Sequence, residues 1–193
     1  MKHNTNAKKI TALLLATFLF VMSFSACGQK ENPQKPMNQA PVSAGTFSMT
    51  SLNGETVTEE IFKTSKLTLV NVMATWCGPC VQEMPELQKL SENYKDKGLT
   101  VIAIVMDTMD SKGKPDPKAI EEAKRLSMTA GVSFPMLQAK PGVLAGKVDK
   151  VASLPTTFFV DGNGNFVGKM QIGAKNYEAW AKTVDALLAE VEA

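Results

Sequence analysis

Histidine is all but missing: of 193 residues only His3 is one, and it lies in the basic patch that opens the chain with Lys2, Lys8 and Lys9. Past that patch there is no imidazole to act as general base or zinc ligand. This excludes Ser–His–Asp triads, Cys–His proteolysis and His-based metal sites together. Cysteine is scarce too. Cys27, Cys77 and Cys80 are the only three, too few without histidine for a four-ligand zinc site. No basic run or basic face follows the opening patch, so nothing points to nucleic acid. No internal repeat is present, and neither metal nor organic cofactor is expected.

Long apolar runs are also lacking, apart from one at the N-terminus. Ile10 to Phe24 is apolar for about fifteen residues, short of the ~20 that a membrane-spanning helix needs. Basic residues, a short apolar run and then small residues describe an export signal over residues 1–26. It ends Phe24-Ser25-Ala26-Cys27-Gly28, which resembles the lipobox of bacterial lipoproteins, with cleavage before Cys27 and lipid on its thiol. Phe24 stands where Leu is usual, and ordinary cleavage after Ser25 is the competing reading. Removing residues 1–26 leaves 18 basic against 19 acidic residues, a net charge of −1. Residues 27–45 are rich in Gln, Asn, Pro and Lys and read as a flexible tether behind the lipid. Residues 46–193 have the size of one domain.

Within that domain, Phe47 to Val57 predicts a hairpin turning at Asn53-Gly54. Leu67 to Met73 is apolar nearly throughout, as a strand covered on both faces would be. A helix follows from about Cys77 to Asp96, with Leu87, Leu90 and Tyr94 on one stripe, then a strand from Leu99 to Met106. Residues 107–116 form a loop, and Pro117 starts a helix running to about Ala130. Thr156–Asp161 and Asn165–Ile172 read as two strands joined by Asp161-Gly162-Asn163-Gly164. Asn176 caps a last helix carrying Trp180, Val184, Leu187, Leu188 and Val191. The order implies an α/β domain with a mixed sheet. Met73, Met84, Met106 and Met128 show no clustered spacing, and most of the methionines read as core filler.

Cys77 and Cys80 form a C-x-x-C where the first central strand turns into its helix. Unpaired N–H groups and the positive helix end would stabilise a thiolate on the first cysteine. Cys77 is thus expected exposed and attacking. Cys80, one turn further in, is expected more buried and resolving the mixed disulfide. Haem attachment would need His at position 81, which is Val, and a structural disulfide closing so small a loop would gain little.

The stretch Ala74-Thr75-Trp76-Cys77-Gly78-Pro79-Cys80 resembles the thioredoxin superfamily. The longer run Asn71 to Pro85, with Leu154-Pro155-Thr156-Thr157-Phe158 and the opening hairpin, resembles its exported, membrane-tethered TlpA/ResA-like branch. The resemblance implies a thioredoxin fold, a mixed central sheet flanked by helices, with an N-terminal hairpin and a central insertion. It also implies roles. Pro155 matches the cis-proline facing the cysteines, against the alternative of a plain strand-start proline, and Pro85 matches the helix-kinking proline. Trp76 matches the aromatic beside the nucleophile, shaping the client surface or filling space. Glu83 matches an acidic residue that would exchange protons with Cys80; the alternative is a solvated glutamate favoured by the helix dipole. Asn71 stands where cytosolic thioredoxins carry a buried Asp.

The expected activity is thiol–disulfide exchange. The Gly78-Pro79 dipeptide leans toward a reductase, nearer about −270 mV than the about −120 mV of DsbA. Such a dithiol outside the cytoplasm needs electrons from a membrane carrier of the CcdA/DsbD type. The clients of relatives include apocytochrome c and extracytoplasmic methionine sulfoxide reductase. The location implied is the outer face of the cytoplasmic membrane or a periplasm-facing leaflet. Two rivals stand beside this reading. A peroxiredoxin-like peroxidase would need Thr where Ala74 is, and a non-catalytic binding lipoprotein would have inert thiols.

Overall fold

Seven consecutive buried residues, Leu67 to Met73, make the central strand, and the rest of the domain is assembled on its two faces. The structure is a computed structural model that describes residues 40–110 and 112–192. In chain order the strands and helices are β1 (Ser48–Thr50), β2 (Thr56–Thr58), β3 (Leu67–Met73), α1 (Gly78–Tyr94) and β4 (Leu99–Val105). They continue with α2 (Pro117–Thr129), β5 (Met136–Gln138), β6 (Thr156–Asp161), β7 (Gln171–Ile172) and α3 (Tyr177–Val191). β1 and β2 form the expected antiparallel hairpin. The main sheet runs β5-β4-β3-β6-β7, with β3, β4 and β5 parallel and β6 and β7 antiparallel. It is the mixed sheet of a thioredoxin fold.

Strand alternation sorts the core into two layers. Leu67, Leu69 and Met73 join Val101, Val105, Phe159 and the buried stripes of α1 and α3 on one face. Val70 and Val72 join Ile102, Ile104, Phe158 and Val160 on the other, covered by Phe47, Phe62 and residues 143–148. Asn71 falls by the same alternation on the helix-facing side, a polar side chain set between Leu69 and Met73. The helix ends carry their expected signals: Asp116 Oδ1 accepts from the Lys118 and Ala119 amides, and Asn176 Oδ1 from the Ala179 amide at 3.0 Å.

Two expectations are corrected, and one strand is added. Asn165–Ile172 is not one strand: Asn165 and Phe166 make single bridges, and only Gln171–Ile172 pairs as β7. The break is at Gly168, whose φ of +59° lets the chain pass over Leu187. The supposed tether is ordered into the domain near its end. Phe166 N–H donates to the Val42 carbonyl and Ala44 N–H to that of Gly164, both at 2.8 Å, and Ala44 is fully buried. β5 was not foreseen, because Pro135 and a three-residue length hide it from pattern reading. Met128 is exposed, unlike the core residues Met73 and Met84. The export signal and Cys27 lie outside the described residues.

Candidate active site

The site grows from the end of β3. Ala74 is buried, and its carbonyl accepts from Cys77 N–H at 3.1 Å. Thr75 N–H donates to both carboxylate oxygens of Asp107, at 3.1 and 3.2 Å, and its hydroxyl donates to Oδ2 as well. That clamp, from the short turn after β4, holds the loop that delivers Trp76 and Cys77 to the first turn of α1. Cys77 is the helix N-cap, and its Sγ accepts from Cys80 N–H at 3.3 Å. An orphan helix donor therefore points at the sulfur where thiolate charge would develop. Pro79 fits the first turn, where the N–H that it lacks would have had no intrahelical partner.

Cys77 and Cys80 are joined as a disulfide. The expected exposure of Cys77 is corrected: it is 5% exposed and Cys80 2%. In the oxidised form Trp76, Met106 and residues 151–154 wall a groove of about 550 Å³ around Cys77 and leave little of it open. Trp76 itself projects outward, 74% exposed. The Leu154–Pro155 peptide is cis, and Pro155 is buried. Because Val72 pairs with Thr156, Pro155 lies one step from the strand end that carries the cysteines. Pro85 sits inside α1, without the N–H that would have bonded the Val81 carbonyl.

Glu83 is not a solvated first-turn glutamate. It is 2% exposed, on the buried face of α1. Its Oε1 accepts from Lys175 N–H at 2.7 Å and from Trp180 Nε1–H at 2.9 Å. Its Oε2 accepts from Asn71 Nδ2 at 3.2 Å, and the same amide donates to Thr157 Oγ1 at 3.1 Å. Burial raises the carboxyl above its ordinary range, opposed by these three donors and by the Lys175 charge. Sequence reasoning missed Lys175, Thr157 and the Asp107 clamp. Trp180 carried one usable signal, since a buried indole N–H needs an acceptor. Among the described residues no cluster of side chains could hold a metal ion.

The AhpC/TSA family model matches residues 39–168. The chain belongs to the AhpC/TSA family. Within it, the chain is 33% identical over 141 residues to the thioredoxin-like protein YneN of Bacillus subtilis, covering 73% of this chain and 74% of that one. It is 31% identical over 135 residues to the thiol-disulfide oxidoreductase ResA of Bacillus anthracis, covering 70% of each. The thiol:disulfide interchange protein of Chlorobium tepidum superposes with a TM-score of 0.64, at 23% identity, over 79% of this chain and 99% of its own. That likeness speaks for the fold alone, while the ResA and YneN similarities mark this family member as an oxidoreductase of the thiol–disulfide type. A peroxiredoxin-like reaction would need a hydroxyl at position 74, and this chain has the buried Ala74 methyl there, which cannot donate to a peroxide.

Proposed function

We propose that the protein is an extracytoplasmic protein-disulfide reductase that works through Cys77 and Cys80. The observation that carries the reading is the pair itself: two bonded sulfurs on the first turn of α1, the outer one at the N-cap, opening on a groove beside an exposed tryptophan. In the reduced state the Cys77 thiolate attacks a client disulfide. A Cys77–client disulfide forms and one client thiolate leaves. Cys80 then attacks Cys77, its proton passing to the buried Glu83 carboxylate. The Cys77–Cys80 disulfide forms, the second client thiolate leaves, and the acid on Glu83 gives up its proton to that departing thiolate through solvent. Trp76 and the Val151–Pro155 segment are the surface against which the client lies.

The electron donor in this reading is a membrane dithiol carrier of the CcdA/DsbD type, and lipid on Cys27 keeps the domain beside it. Apocytochrome c or an exported methionine sulfoxide reductase is the kind of client that fits. The test is Cys80→Ser in intact cells, with acid quenching and thiol alkylation. The parent pair should be largely reduced, and the variant should accumulate mixed disulfides on Cys77 with folded redox clients. A fully oxidised resting pair, with unfolded secreted chains as its trapped partners, would make the protein an oxidase and overturn the direction.

A further inference from the structure

The two oxygens of Glu83 have partners of different kinds. Oε1 faces a backbone N–H, that of Lys175, and an indole N–H, that of Trp180. Both can only donate, so a carboxylic acid proton on Oε1 would meet two other protons. Among the described residues, Oε2 accepts from Asn71 Nδ2 alone. Asn71 is the one partner able to change sign, because a half-turn of its amide exchanges nitrogen for oxygen. Its second partner, the Thr157 hydroxyl, can donate as well as accept. Both bonds at this end of the amide are made by Nδ2, so a half-turn exchanges the two together.

We propose that Asn71 is an inverting positioning residue, presenting Nδ2 to the ionised Glu83 carboxylate and Oδ1 to the protonated acid, with the Thr157 hydroxyl reversing in step. The inference rests on the reading of Glu83 as the group that carries the resolving proton. In the inverted state Glu83 Oε2–H and Thr157 Oγ1–H both donate to Asn71 Oδ1, replacing one for one the two bonds that Nδ2 made. Asparagine is the residue that can do this at position 71. An aspartate would repel the ionised Glu83, and an aliphatic side chain would leave Oε2 unsatisfied in a buried place, which costs on either protonation state.

The setting favours such a device. Asn71 lies on the helix-facing side of β3, and Thr157 on the matching side of β6, its register partner. Thr157 is two residues after Pro155, so the inversion links the proton on Glu83 to the strand that approaches the cysteines. The other charged or titratable groups here are few. Lys175 enters from the loop before α3 with its Nζ 5.7 Å from the Trp180 ring centre. Glu86, one turn along α1, is occupied with the Tyr177 amide at 2.8 Å. The cysteines occupy the first turn of α1. None of these can replace Asn71 on Oε2.

The test is side-chain NMR on the full chain, following the Glu83 carboxyl carbon and the Asn71 side-chain amide across pH. The contact between the Asn71 NH2 protons and the Thr157 side chain should be present above the Glu83 midpoint and lost below it. Asn71→Leu, close to isosteric, should change the Glu83 proton affinity by less than about tenfold, since one bond is removed from each protonation state. A fixed donor supports the ionised state alone, so its loss would raise that affinity by tenfold or more. If the leucine variant fails to fold, the parent's amide contact still decides. An Asn71–Thr157 contact that persists through the Glu83 titration overturns the inversion and leaves the role of Glu83 standing. A Glu83 carboxyl that shows no titration over the whole pH range in which the fold persists overturns both.

Discussion

Trp180→Phe isolates one bond to the buried carboxylate, because the phenyl ring keeps most of the packing and drops only the indole N–H. Trp180 is fully buried, and its ring meets that of Phe159 at 6.2 Å between centres, edge to face. Its Nε1–H lies 2.9 Å from Glu83 Oε1. A hydrogen bond to an ionised group contributes about 1.5–3 kcal/mol, one to a neutral group about 0.5–1.5. The smaller ring adds a packing loss on the order of 1–2 kcal/mol that does not depend on pH. The pH dependence has a definite sign. The folded Glu83 titrates above its reference of 4.5, so the fold binds that proton more tightly than the unfolded chain does. Its ionisation therefore costs stability, a cost that builds as pH rises from the unfolded value through the folded one and is constant above. Removing the indole donor raises the folded value further, so the variant bears a larger cost over a wider window. Urea unfolding of the oxidised protein at about pH 8 should show a destabilisation larger than that near the unfolded value by about 1–2 kcal/mol. Equal losses at the two pH values would mean that the bond does not serve an ionised carboxylate, and the proton-carrying reading of Glu83 would fall with it.

Trp76→Ala should leave the melting temperature nearly unchanged, within about 0.5 kcal/mol of stability, because the ring is 74% exposed. Turnover of a folded protein disulfide should suffer through KM while a small-molecule disulfide is reduced as before, and a loss of equal size on both would contradict the client-surface role. Gly168→Ala should destabilise by about 1–3 kcal/mol in thermal unfolding. Its φ is +59° and an added Cβ would stand 2.5 Å from Leu187 Cδ2. Cys27→Ala should release the protein from membranes and abolish fatty-acid labelling, and a parent chain without label would remove the anchor from the reading.

What could be read along the chain was everything set by near neighbours. Leu67–Met73 declared itself a doubly covered strand because seven residues in a row are fit for burial. Pro117 and Asn176 announced helix starts, since a cap is a contact within two or three residues. The first turn of α1 followed for the same reason: Cys77 and Cys80 are one helical turn apart wherever a helix begins there, and the chemistry of that pair needs little else. Hairpin pairing was legible only as far as its turn reached. Past Val167, whose N–H still donates to the Phe159 carbonyl, the chain leaves β6 at Gly168, which passes over Leu187 of α3, a neighbour that no local pattern reports.

The state of Glu83 belonged wholly to the tertiary structure. As a letter near the start of a helix it fitted equally a solvated residue at the dipole's positive end or a buried acid. The difference is made by groups 12, 92 and 97 positions away, Asn71, Lys175 and Trp180, which meet only when β3, the 173–176 loop and α3 close over α1. The clamp of Asp107 on Thr75, 32 positions apart, is of the same kind. Local sequence specifies backbone conformation and the identity of a reactive group. Desolvation and hydrogen-bond supply, which set where that group holds its proton, are sums over space, and only the assembled fold defines them.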